Sequence, residues 1–180
     1  IGQTTIDEVR ASYQFTDLTS FLSVYYPAMN VLQTEDDFSK LVQSYLLRAK
    51  ENGVKYAELF FDPQAHTSRG VAFETVIKGY HDGIKTSAAT GVDASLIMCF
   101  LRDMSAESAM ATYEAMLPYK EMIIGIGLDS DERDNPPEKF TEVFDRAKAD
   151  GLHITMHCDI DQVDSIEHIR TCLKKIGVER

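Results

Sequence analysis

The chain has 180 residues, 44% of them hydrophobic, and a formal net charge of −11 at pH 7. This length and composition predict one globular domain with a substantial core, over residues 1–180. An acidic balance without a local basic cluster argues against binding to nucleic-acid polymers or anionic membranes, and favours a small-molecule ligand.

The first third of the chain predicts two helices and a strand. Residues 17–32 carry apolar side chains at helical spacing. Thr34 with Asp37 three residues later predicts a capped second helix. Its apolar stripe is expected to be Phe38, Leu41, Tyr45 and Ala49. A strand is predicted over 54–61, and the proline and polar residues that follow predict a loop over 64–70.

The middle of the chain repeats this unit twice. Apolar residues over 73–84 predict a helix that Gly91 closes, and the apolar run 94–100 predicts a strand covered on both faces. Ser105 is expected to cap the next helix, which leads to a buried strand over 122–128.

The last unit predicts a helix, a strand and a final helix. Asn135 is expected to cap a helix with Pro136 at its first position, and Gly151 to end it in a left-handed conformation. Residues 153–156 predict the fourth strand. Asp164 and Glu167 form a potential capping box for the last helix. The core-facing residues of that helix are expected to be Ile166, Ile169, Leu173 and Ile176.

Strand starts near residues 55, 94, 122 and 153 have the spacing of β-loop-α units with parallel, right-handed connections. Periodicity alone leaves two architectures open, an open doubly wound sheet and part of a (β/α) barrel. No Gly-x-Gly-x-x-Gly motif follows the first strand, which argues against a nucleotide cofactor.

Histidines and carboxylates are concentrated after the carboxyl ends of the strands, where barrel enzymes assemble their active sites. The polar residues at these ends are Asp62, Gln64, His66, Arg102, Asp103, Asp129, Ser130, Asp131, Glu132, His157, Asp159 and Asp161. The loops at the opposite end carry mostly turn residues. His157 is therefore predicted to be a metal ligand or an acid–base group.

Three cysteines, Cys99, Cys158 and Cys172, are odd in number and widely spaced, which predicts reduced thiols and a cytoplasmic location. Neither a signal peptide nor a membrane-spanning run is predicted. The chain begins without methionine and ends on Gly177-Val-Glu-Arg180, a turn of the kind that feeds another strand. These ends predict a segment of a longer protein.

Three segments resemble the adenosine/adenine deaminase family of the amidohydrolase superfamily, and are closer to its adenine deaminase branch. They are Tyr56-Ala-Glu-Leu-Phe-Phe-Asp-Pro-Gln-Ala-His-Thr67, Gly125-Ile-Gly-Leu-Asp-Ser-Asp-Glu132 with Pro136-Pro137, and the strand that ends in His157. The resemblance implies a TIM (β/α)8 barrel of the metal-dependent hydrolase type, of which this chain covers about strands 2 to 5.

The resemblance also implies a function, the hydrolytic deamination of a 6-aminopurine with one Zn²⁺. The favoured reaction converts adenine to hypoxanthine and ammonia, as part of purine salvage. His157 matches the zinc-binding histidine of the fifth barrel strand. The remaining ligands are expected outside this chain, so the isolated segment is expected to be inactive.

One departure from the family affects the proton donor. The family places Ala-Gly-Glu after this histidine, whereas Cys158, Asp159 and Ile160 follow it here. Since isoleucine cannot donate a proton, Asp159 or Asp161 is predicted to be the catalytic acid. The resemblance places Gly127, Asp129 and Glu132 against the purine. Glu132 would accept the N9–H of a free base, which favours adenine over adenosine.

Two alternatives stay open at this point. The substrate could be adenosine or an N6-substituted adenine, and release of an alkylamine instead of ammonia would identify the N6-substituted substrate. A catalytically silent purine-binding or interaction module is the other alternative, suggested by Ile160 at the usual acid position. The expected partners are a small-molecule purine and further copies of the protein, in a homo-oligomer.

Overall fold

A computed structural model describes residues 5–158 and 163–180. Its strands are β1 (Tyr56–Phe61), β2 (Asp93–Leu101), β3 (Ile123–Asp129) and β4 (His153–Ile154). Its helices are α1 (Ile6–Ser12), α2 (Leu18–Ala28), α3 (Glu35–Glu51), α4 (Pro63–Thr67), α5 (Phe73–Thr86), α6 (Ala106–Met116), α7 (Thr141–Ala149) and α8 (Ser165–Thr171). Within the described ranges, no helix is long and apolar enough to cross a bilayer.

The four strands form one parallel sheet, as the spacing of the strands predicts, and their order in it is β1-β2-β3-β4. Although β4 is short, its backbone continues to pair with β3. The amide of Thr155 donates to Ile126 O at 3.0 Å, and the amide of His157 donates to Leu128 O at 2.9 Å. This pairing carries His157 to the carboxyl end of the sheet.

Helices cover one face of the sheet and enclose the main core, to which Phe61, Met98, Phe100 and Ile126 contribute from the strands. Within the layer of helices, α3 packs closely against α5. A Cβ atom at Gly79 would lie 2.6 Å from the Cβ of Phe38, and one at Gly83 would lie 2.6 Å from the Cβ of Val42. The two glycines therefore let the helices approach.

The buried stripe of α3 differs from the predicted one. Phe38 and Ala49 are buried as expected, but Val42 and Leu46 lie between them, while Leu41 and Tyr45 are exposed. Both sets have helical spacing. The contact with α5 selects the second because its glycines face Phe38 and Val42.

The other face of the sheet is open in the described part of the chain. Tyr56 and Phe60 of β1 are both about half exposed on it. At the outer edge of β4, Glu179 N donates to Ile154 O and Met156 N donates to Arg180 O, each at 3.0 Å. Residues 179–180 thus lie where a further strand would pair.

Three local predictions are wrong. Residues 64–70 are not all loop, because Pro63 occupies the first turn of the short helix α4. Pro136 precedes a 3-10 turn over Pro137–Phe140, and α7 begins only at Thr141, so Asn135 does not cap it. Asp164 precedes α8 with a φ of 60° and no side-chain cap, so the capping box is absent.

The buried face of the last helix is mispredicted in part. Ile176 is buried as expected, but Ile166 and Leu173 are exposed, and Thr171 and Cys172 are buried instead. After Thr171 the helix widens to a π-helical turn over Cys172–Ile176, and this change of pitch shifts the inward-facing positions.

Candidate active site

Four side chains predicted at the carboxyl ends of the strands do meet at one edge of the sheet. Asp62 follows β1, Arg102 follows β2, Asp129 ends β3, and His157 follows β4. Parallel pairing brings these ends together, since Leu101 is in register with Asp129 and Arg102 N donates to Asp129 O at 2.9 Å. This edge of the sheet is the candidate site.

His157 is fixed by its backbone and leaves its ring exposed. Its amide pairs with Leu128 O, and its carbonyl accepts from Nη2 of Arg102. Across the described ranges, no protein group hydrogen bonds to the imidazole. The ring borders a cavity of about 360 Å³ that Cys99, Gly127 and Asp129 also line. The backbone contacts fix the position of His157, and within residues 5–158 and 163–180 both ring nitrogens are available to ligate a metal ion.

A cluster of two partly buried carboxyl groups and a buried thiol lies at this edge of the sheet. The ligand atoms of Asp62, Cys99 and Asp129 all lie within 4.8 Å of one another. Burial raises the pKa of Asp62, and burial together with the charge of Asp62 raises the pKa of Asp129 well above its usual range. Burial also raises the pKa of the Cys99 thiol.

This cluster predicts an unusual dependence of stability on pH. A carboxyl group whose pKa is raised by folding stabilises the fold below its unfolded pKa, near 3.9, and loses that contribution as the pH rises through the folded pKa. Asn cannot ionise. Asp129→Asn is therefore expected to raise Tm at pH 7 and to change it little at pH 4, measured by thermal unfolding of the metal-free complete protein.

Asp131 provides the matched control because its pKa is shifted the other way. Its carboxylate is paired with Arg133 at 2.9 Å, and the hydrogen bonds of that pair lower its pKa. Asp131→Asn should therefore lower Tm at pH 7. An Asp129→Asn protein whose Tm at pH 7 does not exceed that of the wild type would show that the buried pair carries no such penalty.

Arg102 joins three loops beneath the site. Its side chain is fully buried, and besides His157 O it donates from Nη1 to Asn135 O at 3.2 Å. Its Nη2 lies 3.8 Å from Oε1 of Glu132, which is 2% exposed, and the Nδ1 of His168 lies 3.8 Å from the other oxygen of that carboxylate. The loops after β2, β3 and β4 are thus held by one guanidinium.

Glu132 and Gly127, two of the three residues predicted to bind substrate, occupy different environments. Glu132 faces the Arg102 guanidinium rather than lining the cavity at His157. Gly127 lines that cavity, and a Cβ atom there would lie 2.4 Å from the Sγ of Cys99. The glycine therefore keeps the floor of the cavity open beside the thiol.

Helix α2 reaches the same edge of the sheet from outside. Its Thr19 hydroxyl donates to Oδ2 of Asp131 at 3.2 Å. Burial, and then the charges of Asp62 and Asp129, raise the pKa of Tyr25 to about 12. The hydrogen bond between Thr19 and Asp131 places α2 next to the candidate site.

Two polar residues predicted at this end serve the fold instead. Gln64 is buried, donates to the Ser108 hydroxyl at 2.7 Å and accepts from Leu101 N at 2.9 Å. His66 is buried against Phe38 and lies 2.7 Å from a guanidinium nitrogen of Arg69. Burial, with the Arg69 charge, lowers the pKa of His66 to about 4, so the ring is neutral.

Cys158, the residue after His157, lies next to the thiol of Cys172. The Sγ atoms of Cys158 and Cys172 lie 3.6 Å apart. Their hydrogen bond lowers the pKa of Cys158 to about 7 and raises the pKa of Cys172. Asp159 and Asp161, the two predicted proton donors, lie outside the described residues.

Sequence reasoning missed Arg102 as an organising residue and did not single out the contact between Asp62 and Asp129. An arginine directly after a mostly apolar strand is a signal for Arg102, because burial of a guanidinium requires several acceptors. The cysteine pair offered no comparable signal, since 14 residues separate its members in sequence.

Comparison with known proteins shows which family and which relatives this chain is similar to. The family described as adenosine deaminase matches residues 2–180. An adenine deaminase of Geotalea uraniireducens is 50% identical over 177 residues, which are 98% of this chain and 49% of that protein. The chain therefore spans about half the length of the curated relatives it matches.

Solved structures give the same result. The crystal structure of an adenine deaminase from Arthrobacter aurescens matches with a TM-score of 0.95 and 45% identity, over 100% of this chain and 55% of that one. This match confirms the predicted TIM-barrel class, of which the chain forms a part. An amidohydrolase from Burkhoderia ambifaria with bound zinc shares the fold, with a TM-score of 0.86 at 24% identity, over 98% of this chain and 50% of that one.

Among the described residues, His157 is suited to bind a zinc ion. Its imidazole is a preferred zinc ligand, lies free on the cavity wall and has an anchored backbone. One histidine does not complete a four-ligand site, so further ligands would come from outside the described residues. Asp62, Cys99 and Asp129 form a second set of potential donors, but their burial raises all three pKa values and disfavours the deprotonated forms that bind metal.

Proposed function

The chain belongs to the adenosine deaminase family, and from this membership we propose that the complete protein is a zinc-dependent deaminase that converts adenine to hypoxanthine and ammonia. The observation that carries the proposal is the likeness, over the whole chain, to an adenine deaminase of known structure. This activity would serve purine salvage in the cytoplasm.

In this proposal His157 binds the zinc ion. Zinc supplies activated water at neutral pH for attack on the purine C6. The chain's part is to hold the imidazole in place, through the Leu128 carbonyl on the amide side and Arg102 on the carbonyl side. Such backbone anchors orient a ligand before the metal binds, which strengthens metal binding.

Asp129 is proposed to contact the purine as a hydrogen-bond donor. Its raised pKa favours the protonated carboxyl form near neutral pH, and the side chain borders the cavity beside His157. A protonated carboxyl group donates to an unprotonated ring nitrogen, whereas a carboxylate would repel it. Gly127 leaves room for the ring in the same cavity. Glu132 does not line this cavity and faces Arg102, so its proposed role as acceptor for N9–H requires the purine to reach beyond the cavity toward the loop after β3.

Asp159 and Asp161 are the proposed sources of the proton that reaches the purine N1. Both follow the zinc ligand within four residues, and Ile160, which has no exchangeable proton, occupies the third position after it. A carboxylic acid suits this step, since N1 protonation must accompany attack at C6. The reaction then releases the C6 amine as ammonia.

The proposed partners follow from charge and site chemistry. A net charge of −11 disfavours anionic polymers and anionic membranes, so the proposed ligand is a neutral purine. Association into homo-oligomers is proposed for the complete protein, as an expectation that its mass in solution would test.

Ammonia release by the zinc-loaded complete protein tests this function. Adenine should be turned over with a kcat/KM at least about tenfold above that of adenosine, which lacks the N9–H, since one well-placed acceptor for this donor is worth about 1.4 kcal/mol or more. Faster turnover of adenosine, or release of methylamine in preference to ammonia, would assign the protein to another branch. Purine binding without turnover would identify it as a silent binding module.

Substitution of the two carboxyl groups tests the proton donor. Asp159→Asn or Asp161→Asn should lower kcat about a hundredfold or more at one of the two positions, because general acid catalysis contributes about 10²–10⁴. The other variant serves as the control and should retain most of its activity. Full turnover by both variants would remove the assignment.

A further inference from the structure

Two thiols meet at the edge of the candidate site, outside the chemistry proposed above. Cys158 directly follows His157, is half-buried and lines the same cavity, whereas Cys172 is buried just after α8. Their sulfur atoms are 3.6 Å apart. A disulfide bond is about 2.05 Å long, so an approach of about 1.5 Å would bring the sulfurs to bonding distance.

We propose that Cys158 and Cys172 form a reversible disulfide that responds to peroxide. Cys158 faces the cavity and would react first, when its sulfur attacks the peroxide O–O bond to give a sulfenic acid and water. The Cys172 sulfur then attacks the Cys158 sulfur, and the S–O bond breaks to release a second water. Two thiols lose two electrons and two protons in total, and one hydrogen peroxide becomes two water molecules.

The positions of the neighbours decide where the disulfide would act. The amide of His157 donates to Leu128 O, and its carbonyl accepts from Arg102. Because these contacts hold His157 in place, the movement that brings the two sulfur atoms together would occur at residue 158 and at the end of α8. Asp159 and Asp161 lie between the two cysteines in sequence. A disulfide would restrain the segment that carries them, and loss of turnover on oxidation, which rests on the proposed function, is the expected consequence.

A tryptic digest reads the disulfide without any need for activity. Cleavage after Lys148, Arg170 and Lys174 places Cys158 in peptide 149–170 and Cys172 in peptide 171–174. Treatment of the native complete protein with hydrogen peroxide, followed by alkylation and digestion without reductant, should give the two peptides joined and two hydrogen masses lighter. Dithiothreitol should separate them and restore turnover.

Cys99 is an internal control in the same digest, because it is 2% exposed and lies in peptide 86–102. It should remain fully alkylated after unfolding. In Cys172→Ser the joined peptides should be absent, and dimedone should label the sulfenic acid at Cys158. Cys158→Ser should also abolish the link.

Two results would overturn the proposal, and each is separable from failure of the proposed function. If peroxide-treated native protein gives no joined peptide, or gives it only after unfolding in urea, the thiols do not form the bond in the fold. If the link forms while turnover is unchanged, the disulfide does not act on the site. The joined peptide can be measured even in a protein without deaminase activity.

Discussion

His157→Ala is expected to abolish stoichiometric zinc binding by the complete protein and to lower its turnover of adenine by more than about a hundredfold. Loss of a single residue that only supports a ligand already costs 10–100-fold in metal affinity or activity, and loss of the ligand itself should cost at least as much. Zinc content after dialysis and kcat for ammonia release are the two measurements.

A second histidine on the same strand gives the matched control. His153 begins β4, is exposed, and pairs with Glu179 at 2.8 Å, at the end of the sheet away from His157. His153→Ala should retain zinc and turnover. A His157→Ala protein that keeps one equivalent of zinc would show that this imidazole is not a ligand.

Arg102→Met is expected to lower the free energy of unfolding by about 3 kcal/mol, because it leaves a buried carboxylate and two carbonyl groups without their guanidinium partner. The side chains of Arg102 and Glu132 are 0% and 2% exposed, so solvent cannot replace the lost interaction. Urea denaturation of the complete protein at pH 7 measures the change.

A double-mutant cycle separates the charge effect from the loss of packing. Glu132→Gln in the Arg102→Met background should recover part of the stability, since a neutral amide removes the buried negative charge that the guanidinium no longer faces. Arg133→Met is the exposed control, and the loss of its surface pair with Asp131 should cost less than about 1 kcal/mol. Equal stabilities for Arg102→Met and Arg133→Met would rule out a structural role for the buried guanidinium.

The sheet was predictable because its signals are local. The run Asp93–Leu101 is almost wholly apolar, and Ser105 and Gly91 mark the neighbouring helix ends through capping and a φ of 74°. Each of these features depends on a few adjacent residues. Parallel order follows from the alternation of strands with helices, and the match to a solved adenine deaminase confirms the family to which the motifs point.

Helix faces were less predictable because they depend on the neighbour. In α3, Leu41 with Tyr45 and Val42 with Leu46 both continue a helical stripe from Phe38, and only packing against α5 decides between them. In the last helix Leu173 was mispredicted for a different reason, since the pitch of the helix changes at Cys172. Sequence periodicity assumes a constant pitch and cannot register that change.

The location of the candidate site was predictable from the sequence, but the contacts between its side chains were less so. The position of His157 and Asp129 at the carboxyl edge follows from where their strands end. The three loops held by Arg102 and the cluster of Asp62, Cys99 and Asp129 depend on contacts between residues far apart in sequence. No local pattern specifies such contacts.

The location of zinc in the complete protein tests the central claim most directly. Diffraction from crystals of the zinc-loaded protein at the zinc absorption edge should give an anomalous peak within about 2.1 Å of an imidazole nitrogen of His157, the usual zinc–histidine distance. A peak among Asp62, Cys99 and Asp129 instead, with none at His157, would contradict the account.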